Sequence, residues 1–201
     1  MIFGLLSVAV AYLLGGIPFG FVVVRLLTGK DVRAEGSGNI GATNVLRTTG
    51  KLPGILTLAL DIAKGVLAVW IAERLTSGDA AWLAAAALAV VLGHAYPVFL
   101  KFEGGKAVAS FVGAFGYLAP LPLAAVVIVF VVVVAVTRFV SLGSIIGALV
   151  FPLGLWLIAQ PPAPVMVAAV AGGAFIIWRH EANIRRLRAG NENVLSFSKK
   201  K

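Results

Sequence analysis

No cysteine occurs among the 201 residues, which excludes disulfides, cysteine-ligated metal and a thiol nucleophile, and with it thioester chemistry on the protein. Charge is scarce as well. Asp, Glu, Lys and Arg together make up 12% of the chain, about half the share of a soluble domain, whereas hydrophobic residues make up 60% and mean hydropathy is +1.02. A water-soluble globule is excluded, and the composition is that of an integral membrane protein. Acidic residues are rarer than basic ones, 8 against 17, for a formal net charge of +9; in membrane proteins such an excess gathers in loops facing the cytoplasm and its anionic lipids. The chain also lacks a basic residue before Arg25. The first apolar run, 1–27, therefore has no charged start of the secretory type, and it is expected to be a retained span with the N-terminus outside.

A helical crossing takes about 20 apolar residues. Charges and Pro/Gly punctuation divide the chain into about seven such runs, residues 3–27, 53–71, 81–100, 108–118, 121–136, 142–158 and 165–178. The fourth is short and only Ala119-Pro120-Leu121-Pro122 parts it from the fifth, so six spans with a re-entrant segment is the alternative. With the N-terminus outside, the inner connections carry Lys30, Arg33, Arg47 and Lys51, then Lys101 and Lys106, then Arg138, then the stretch from Arg179 to Lys201; the outer connections carry Arg74 alone. That asymmetry fits an odd number of crossings. The expectation is one all-α membrane domain over residues 1–201, with polar loops and C-terminus on the cytoplasmic face and a basic tail from about residue 179. Gly16/Gly20 and Gly143/Gly147 have the spacing of close helix contacts, and Pro18, Pro97 and Pro152 can loosen helices. Asp61 and Lys64 lie inside a span, where one charge costs roughly 2.5–3.5 kcal/mol. At i and i+3 they can neutralise each other, as a buried lock or as a polar patch extending a site inward.

Three polar segments interrupt the apolar runs. Residues 36–47, GSGNIGATNVLR, combine the short oxygen-bearing side chains Ser37, Asn39, Thr43 and Asn44 with Gly36, Gly38 and Gly41, and close on Arg47. Such a segment suits an anion, through approachable main-chain N–H groups and a guanidinium fork. Gly36-x-Gly38-x-x-Gly41 spells a dinucleotide fingerprint, but that motif needs a preceding strand and a βαβ unit; here a membrane-length run precedes it. Residues 93–110 contain Gly104-Gly105-Lys106 ahead of an apolar helix, a phosphate-loop pattern without the glycine and Ser/Thr of a Walker A motif. Further on, Ser141 and Ser144 open a helix in 137–144, where capping accounts for either. Within 178–192, His180 and Asn183 would share one face of a continuing helix beside Arg179 and Arg186.

With GSGNIGATNVLR (36–47), DIAKG (61–65), GHAYPVFLKFEGGKAVAS (93–110), RFVSLGSI (138–145) and RHEANIRRLRAGNE (179–192) in view, the chain resembles the bacterial acyl-phosphate:glycerol-3-phosphate acyltransferases, the PlsY family, along essentially its whole length. The family's second motif usually reads FKGGKGVAT, so Glu103, Ala107 and Ser110 stand where lysine, glycine and threonine are usual. The resemblance implies a seven-helix protein of the bacterial inner membrane whose motif loops face the cytoplasm. It also implies transfer of a fatty acyl group from acyl phosphate to the 1-hydroxyl of glycerol 3-phosphate, with a functional link to the enzyme that makes acyl phosphate. No cofactor, metal or nucleic acid is expected. Ser37, Lys106 and His180 are then the catalytic candidates. Gly38, Asn39, Gly41, Thr43, Asn44, Arg47, Gly104, Gly105, Ser144 and Asn183 are the substrate-binding ones, with Gly104, Gly105 and Lys106 on the acyl phosphate and Asn44, Arg47, His180 and Asn183 on the glycerol 3-phosphate. Two proton acceptors remain for the attacking hydroxyl, His180 and a substrate phosphate. The rival class is a transporter of phosphorylated metabolites, which would show internal repeats or a midplane site; a lipid-binding scaffold is the third.

Overall fold

The computed structural model describes residues 1–195; the end of the expected basic tail, 196–201, lies outside the described residues. All regular structure among the described residues is helical. The chain, expected as one domain, forms two compact units that divide between Leu118 and Ala119. Pro120 stands at the first position of the next helix, where its missing N–H is harmless, and it prevents the preceding helix from running on.

The first unit holds α1 (Ile2–Gly16), α2 (Phe19–Thr28), α3 (Ala42–Thr48), α4 (Lys51–Thr76), α5 (Ala80–Ala95) and α6 (Val108–Leu118). The first apolar run is interrupted where Pro18 forces Ile17 into an extended conformation, φ −65° and ψ 114°. Part of the polar stretch 36–47, expected as a loop, is the short helix α3. Helix α4, with 26 residues, is about 39 Å long and exceeds the roughly 30 Å hydrocarbon core. Helix α6 has only 11 residues, about half the length a crossing needs. It packs on α4 at very short range: a Cβ on Gly65 would overlap the Ser110 carbonyl oxygen, and one on Gly113 the Ile62 carbonyl oxygen.

The second unit holds α7 (Pro120–Thr137), α8 (Val140–Ala159), α9 (Ala163–Arg179) and α10 (Glu181–Arg188). Arg138 turns the chain between α7 and α8 with φ 62°, and Gln160 ends α8 with φ 43°. The large side chains of Leu121, Ile128, Val132 and Val136 on α7 are exposed, as a lipid-facing helix requires. Helix α10 bends 56° away from α9, so the helix expected to continue through His180 and Asn183 is broken at His180.

All seven expected runs fall on helices, the first as α1 and α2 on either side of Pro18. By length and composition, five stretches of the described residues can cross a membrane, 2–28, α4, 80–100, α7 and α8, and the bent pair α9–α10 makes a sixth. The remaining expected run, the fourth, 108–118, is the short α6. Of the glycine pairs singled out by spacing, Gly20 meets the Ile40 carbonyl and Gly143 meets Val134 and Phe130, while the spaces at Gly16 and Gly147 would admit a Cβ at 3.5 Å or more.

Overpacking a tight contact costs typically 1–3 kcal/mol, and at Gly113 the obstruction is main chain rather than a side chain that can swing aside. Gly113→Val is expected to lose about 3 kcal/mol and to lower the thermal unfolding midpoint of detergent-solubilised protein by several degrees. Gly147→Ala, with room for its methyl, is expected to leave that midpoint unchanged or to raise it.

Candidate active site

The first polar segment is built around one side chain. Asn44 is 2% exposed. Its Oδ1 accepts the Ser37 N–H at 2.8 Å, and its Nδ2 donates to the carbonyls of Asn39 (2.9 Å), Glu35 (3.1 Å) and Val32 (3.3 Å). Gly36 and Gly38 take φ of 61° and 71°, conformations that admit glycine without penalty. Asn39 Oδ1 accepts the Gly41 N–H at 2.8 Å, and the Gly38 N–H donates to Glu35. The amides of Ser37, Gly38 and Gly41, expected as an anion nest, are therefore satisfied within the segment, and the Asn44 carboxamide, expected on substrate, organises the loop. What the segment presents outward is side chains: Ser37 and Arg47 are exposed, and Thr43 is half-buried.

Ahead of it, Asp31 caps the 3-10 turn Val32–Ala34 by accepting the Arg33 N–H, and the Arg33 guanidinium returns to the same carboxylate at 2.7 Å. That guanidinium hydrogen bond holds the Asp31 carboxyl below the usual carboxylate range.

The second segment leaves α5 through a 3-10 turn, Val98–Leu100, and doubles back. The Gly104 N–H donates to the Ala95 carbonyl and the Gly105 N–H to the His94 carbonyl, both at 3.1 Å. These two amides, expected to cradle phosphate, fasten the loop to the end of α5, which leaves the Lys106 side chain as the group of this motif suited to an anion. Lys101, Phe102 and Ala107 all adopt left-handed φ, 53°, 65° and 62°. For a residue with a Cβ this costs about 1–2 kcal/mol, and Ala107 stands where the resembled family usually has glycine.

The two segments meet. Leu100 is buried in one cluster with Val24, Val32, Ile40 and Val45, and Arg33 approaches Glu103 to 3.6 Å. Ser37 and Lys106 thus belong to loops joined by a shared apolar core and an ion pair.

In the second unit, neither serine of 137–144 acts as a cap: Phe139 is the N-cap residue of α8. Ser144 Oγ donates to the Val140 carbonyl at 2.9 Å, and Ser141 Oγ is buried without a hydrogen-bond partner. His180 is 2% exposed at the α9–α10 bend, with its Nδ1 2.8 Å from the Ile176 carbonyl. A carbonyl only accepts, so Nδ1 carries the hydrogen and the lone pair of the neutral ring lies on Nε2. Asn183 donates to Glu192 Oε1 at 2.9 Å, while Arg186 Nε donates to Oε2 at 3.0 Å. Glu192 is 9% exposed. Sequence reasoning gave it no role, although a lone acid beyond a run of arginines was the available signal. Arg138 and Leu195 exchange two hydrogen bonds, which fastens the tail to the α7–α8 turn.

Helices of membrane length with polar, basic loops between them define a polytopic α-helical membrane protein. The chain matches the family described as glycerol-3-phosphate acyltransferase over residues 5–190, and it belongs to that family, of the PlsY type. It is 46% identical over 182 residues to a glycerol-3-phosphate acyltransferase of Desulforamulus reducens, covering 90% of each chain. To one of Geobacter sulfurreducens it is 46% identical over 189 residues, covering 94% of this chain and 96% of the other. Among solved structures it is similar to PlsY, an integral membrane glycerol 3-phosphate acyltransferase, in its glycerol 3-phosphate form (TM-score 0.91, 41% identity, 96% of each chain covered). The lysophosphatidic acid form matches with TM-score 0.89 at 39% identity, over 98% of this chain and 97% of that one.

Removing the Asn44 amide strands the Ser37 N–H and the Asn39 carbonyl, while the Glu35 and Val32 carbonyls keep the Gly38 and Glu35 N–H groups. A buried group left unpaired costs about 1–3 kcal/mol. Asn44→Ala is therefore expected to lower the unfolding midpoint measurably and to reduce acyltransferase turnover at least tenfold, whereas Thr43→Ala, whose side chain shapes no loop, leaves the midpoint in place.

Proposed function

We propose that this protein moves a fatty acyl group from an acyl phosphate to the 1-hydroxyl of glycerol 3-phosphate, forming lysophosphatidic acid and inorganic phosphate in the cytoplasmic membrane of a bacterium. The observation that carries this reading is the family match across nearly the whole chain, together with likeness to a relative whose solved forms hold glycerol 3-phosphate and lysophosphatidic acid.

In this reading the hydroxyl oxygen attacks the acyl carbon, a tetrahedral oxyanion forms, and the bond to phosphate breaks with its electron pair leaving on phosphate. An acyl phosphate is already a mixed anhydride, so the step requires no covalent enzyme intermediate. The work left to the chain is alignment of two anions and stabilisation of the oxyanion; removal of a single oxyanion donor costs about 10²–10³ in rate. Lys106 and Ser37 hold the donor phosphate and polarise its carbonyl. Arg47, Thr43, His180 and Asn183 hold glycerol 3-phosphate, Ser144 supplies a supporting oxygen, and Asn39, Asn44, Gly38, Gly41, Gly104 and Gly105 give the loops their shape. The proton leaves to Nε2 of His180 or to a substrate phosphate. The loops face the cytoplasm, with the N-terminus outside and α6 as the shortest of seven crossings.

Purified protein given palmitoyl phosphate and labelled glycerol 3-phosphate is expected to form lysophosphatidic acid, and palmitoyl-CoA in its place to give none. Product from neither donor would remove the enzyme reading, and product from acyl-CoA alone the donor assignment. Lys106→Ala is expected to abolish turnover in folded protein. For His180→Ala, an impaired rate with an unaltered pH profile marks substrate binding, and loss of the acid limb of the rate profile marks base catalysis. Because the chain has no cysteine, single cysteines report topology without background: one replacing Lys101 is expected to react with a membrane-impermeant maleimide only after cells are opened, and one at Ser77 in intact spheroplasts.

A further inference from the structure

Four polar side chains are buried together in the first unit at the level where α4, α5 and α6 pack. Asp61 and Lys64 on α4 are 2% and 3% exposed, His94 at the end of α5 is 4% exposed, and Ser110 on α6 is wholly buried. Lys64 Nζ lies 2.8 Å from Asp61 Oδ1, donates to the Ile17 carbonyl at 2.8 Å, and stands 5.6 Å from the centre of the Phe19 ring. Asp61 Oδ1 is also 3.5 Å from His94 Nδ1, which is 3.2 Å from Ser110 Oγ.

As a lock between helices this is a poor arrangement. Charges inside a membrane are costly, and a well-packed apolar contact commonly serves stability as well as a buried ion pair or better. Asp61 Oδ1 meets both the Lys64 charge and His94 Nδ1 as charge contacts without an aligned hydrogen bond, and one turn earlier the buried Thr57 hydroxyl has no partner. What the cluster supplies that apolar side chains cannot is direction. A carboxylate and a hydroxyl beside Nδ1 fix the orientation of the His94 ring.

The ring has an evident object. The His94 carbonyl accepts the Gly105 N–H, and the opposite ring nitrogen, Nε2, lies so close to Gly105 that a Cβ there would overlap it. Gly105 thus rests on the imidazole, one residue before Lys106. Four residues after Lys106, Ser110 holds the other side of the same ring. Lys106 is bracketed by two contacts to His94, one through the loop and one through α6.

We propose that Asp61, His94 and Ser110 are positioning residues: Asp61 and Ser110 orient the His94 imidazole, and the imidazole sets the place of the Gly104-Gly105-Lys106 loop and so of the Lys106 ammonium. The proposal rests on the reading that Lys106 binds the donor phosphate. A misplacement of about 1 Å at such a group costs on the order of 10² in rate, so the cluster acts on catalysis without touching substrate.

The test uses the full chain in detergent with palmitoyl phosphate and glycerol 3-phosphate, with rates expressed per mole of folded protein. Ser110→Ala and His94→Gln are expected to lower kcat/KM for palmitoyl phosphate at least tenfold while the KM for glycerol 3-phosphate changes less than twofold. Ser110→Thr, which keeps the hydroxyl, is expected to recover most of the loss. Ser110→Ala removes a single oxygen, so it decides the matter if His94→Gln does not fold. Wild-type kcat/KM in folded Ser110→Ala, or a loss that Ser110→Thr does not restore, overturns the proposal and leaves the cluster a helix lock. Lys106→Ala is measured alongside. Full activity there removes the donor-site reading itself, whereas an inactive Lys106→Ala beside a fully active Ser110→Ala removes only the positioning role.

Discussion

The Lys64 ammonium, 2.8 Å from both the Asp61 carboxylate and the Ile17 carbonyl, joins a broken helix to an intact one. Pro18 interrupts the first apolar run and leaves the Ile17 carbonyl with only the Phe19 N–H, at 3.1 Å, and short of a second partner in a medium that offers none. Lys64 supplies that partner, and Asp61 balances the charge Lys64 brings. The carboxylate so placed also faces His94, beneath the glycine loop. The break in the first run, the buried pair and the footing of the second motif are therefore one problem solved with one set of groups.

The same economy of hydrogen bonds governs the loops. Glycine-rich segments beside a membrane suggest open amides waiting for an anion, yet here the amides of Ser37, Gly38, Gly41, Gly104 and Gly105 all have partners within the chain. The main chain is an internally bonded frame, and in the proposed function the side chains carry the recognition. This suits the proposed reaction, in which both reactants are anionic and the donor is already activated: the chain would contribute placement and positive charge, and placement by a pre-formed frame loses little to disorder.

Composition, hydropathy and the distribution of Lys and Arg were enough to read a helical membrane protein, and all seven apolar runs fall on helices, the first of them broken at Pro18, because those signals are summed over many residues. Where few residues decide, the reading was coarser. The short run read as 108–118 matches α6, because the Pro120 break that ends it stands in the sequence, whereas the left-handed Ala107 before it does not show there. The bend at His180 was hidden because no glycine or proline marks it between Gly173 and Gly190. The motifs placed Ser37, Arg47, Lys106 and His180 in view, but whether a polar group turns outward or inward is a tertiary matter. Asn44 looks like a ligand by composition and is a scaffold by contact. Glu192 and His94 have no periodic signature at all, because their partners lie on other turns or other helices.

The ion pair between Arg33 and Glu103 has a bearing on relatives. Where the family usually carries lysine, this chain has an acid facing a guanidinium, and a few residues on it has alanine in a backbone conformation that glycine adopts freely. A chimera that imported a relative's lysine-bearing loop would set two cations against each other across the junction of the motifs, so the loop is not an interchangeable cassette. It travels with its counterpart at position 33, and the two have to be exchanged together.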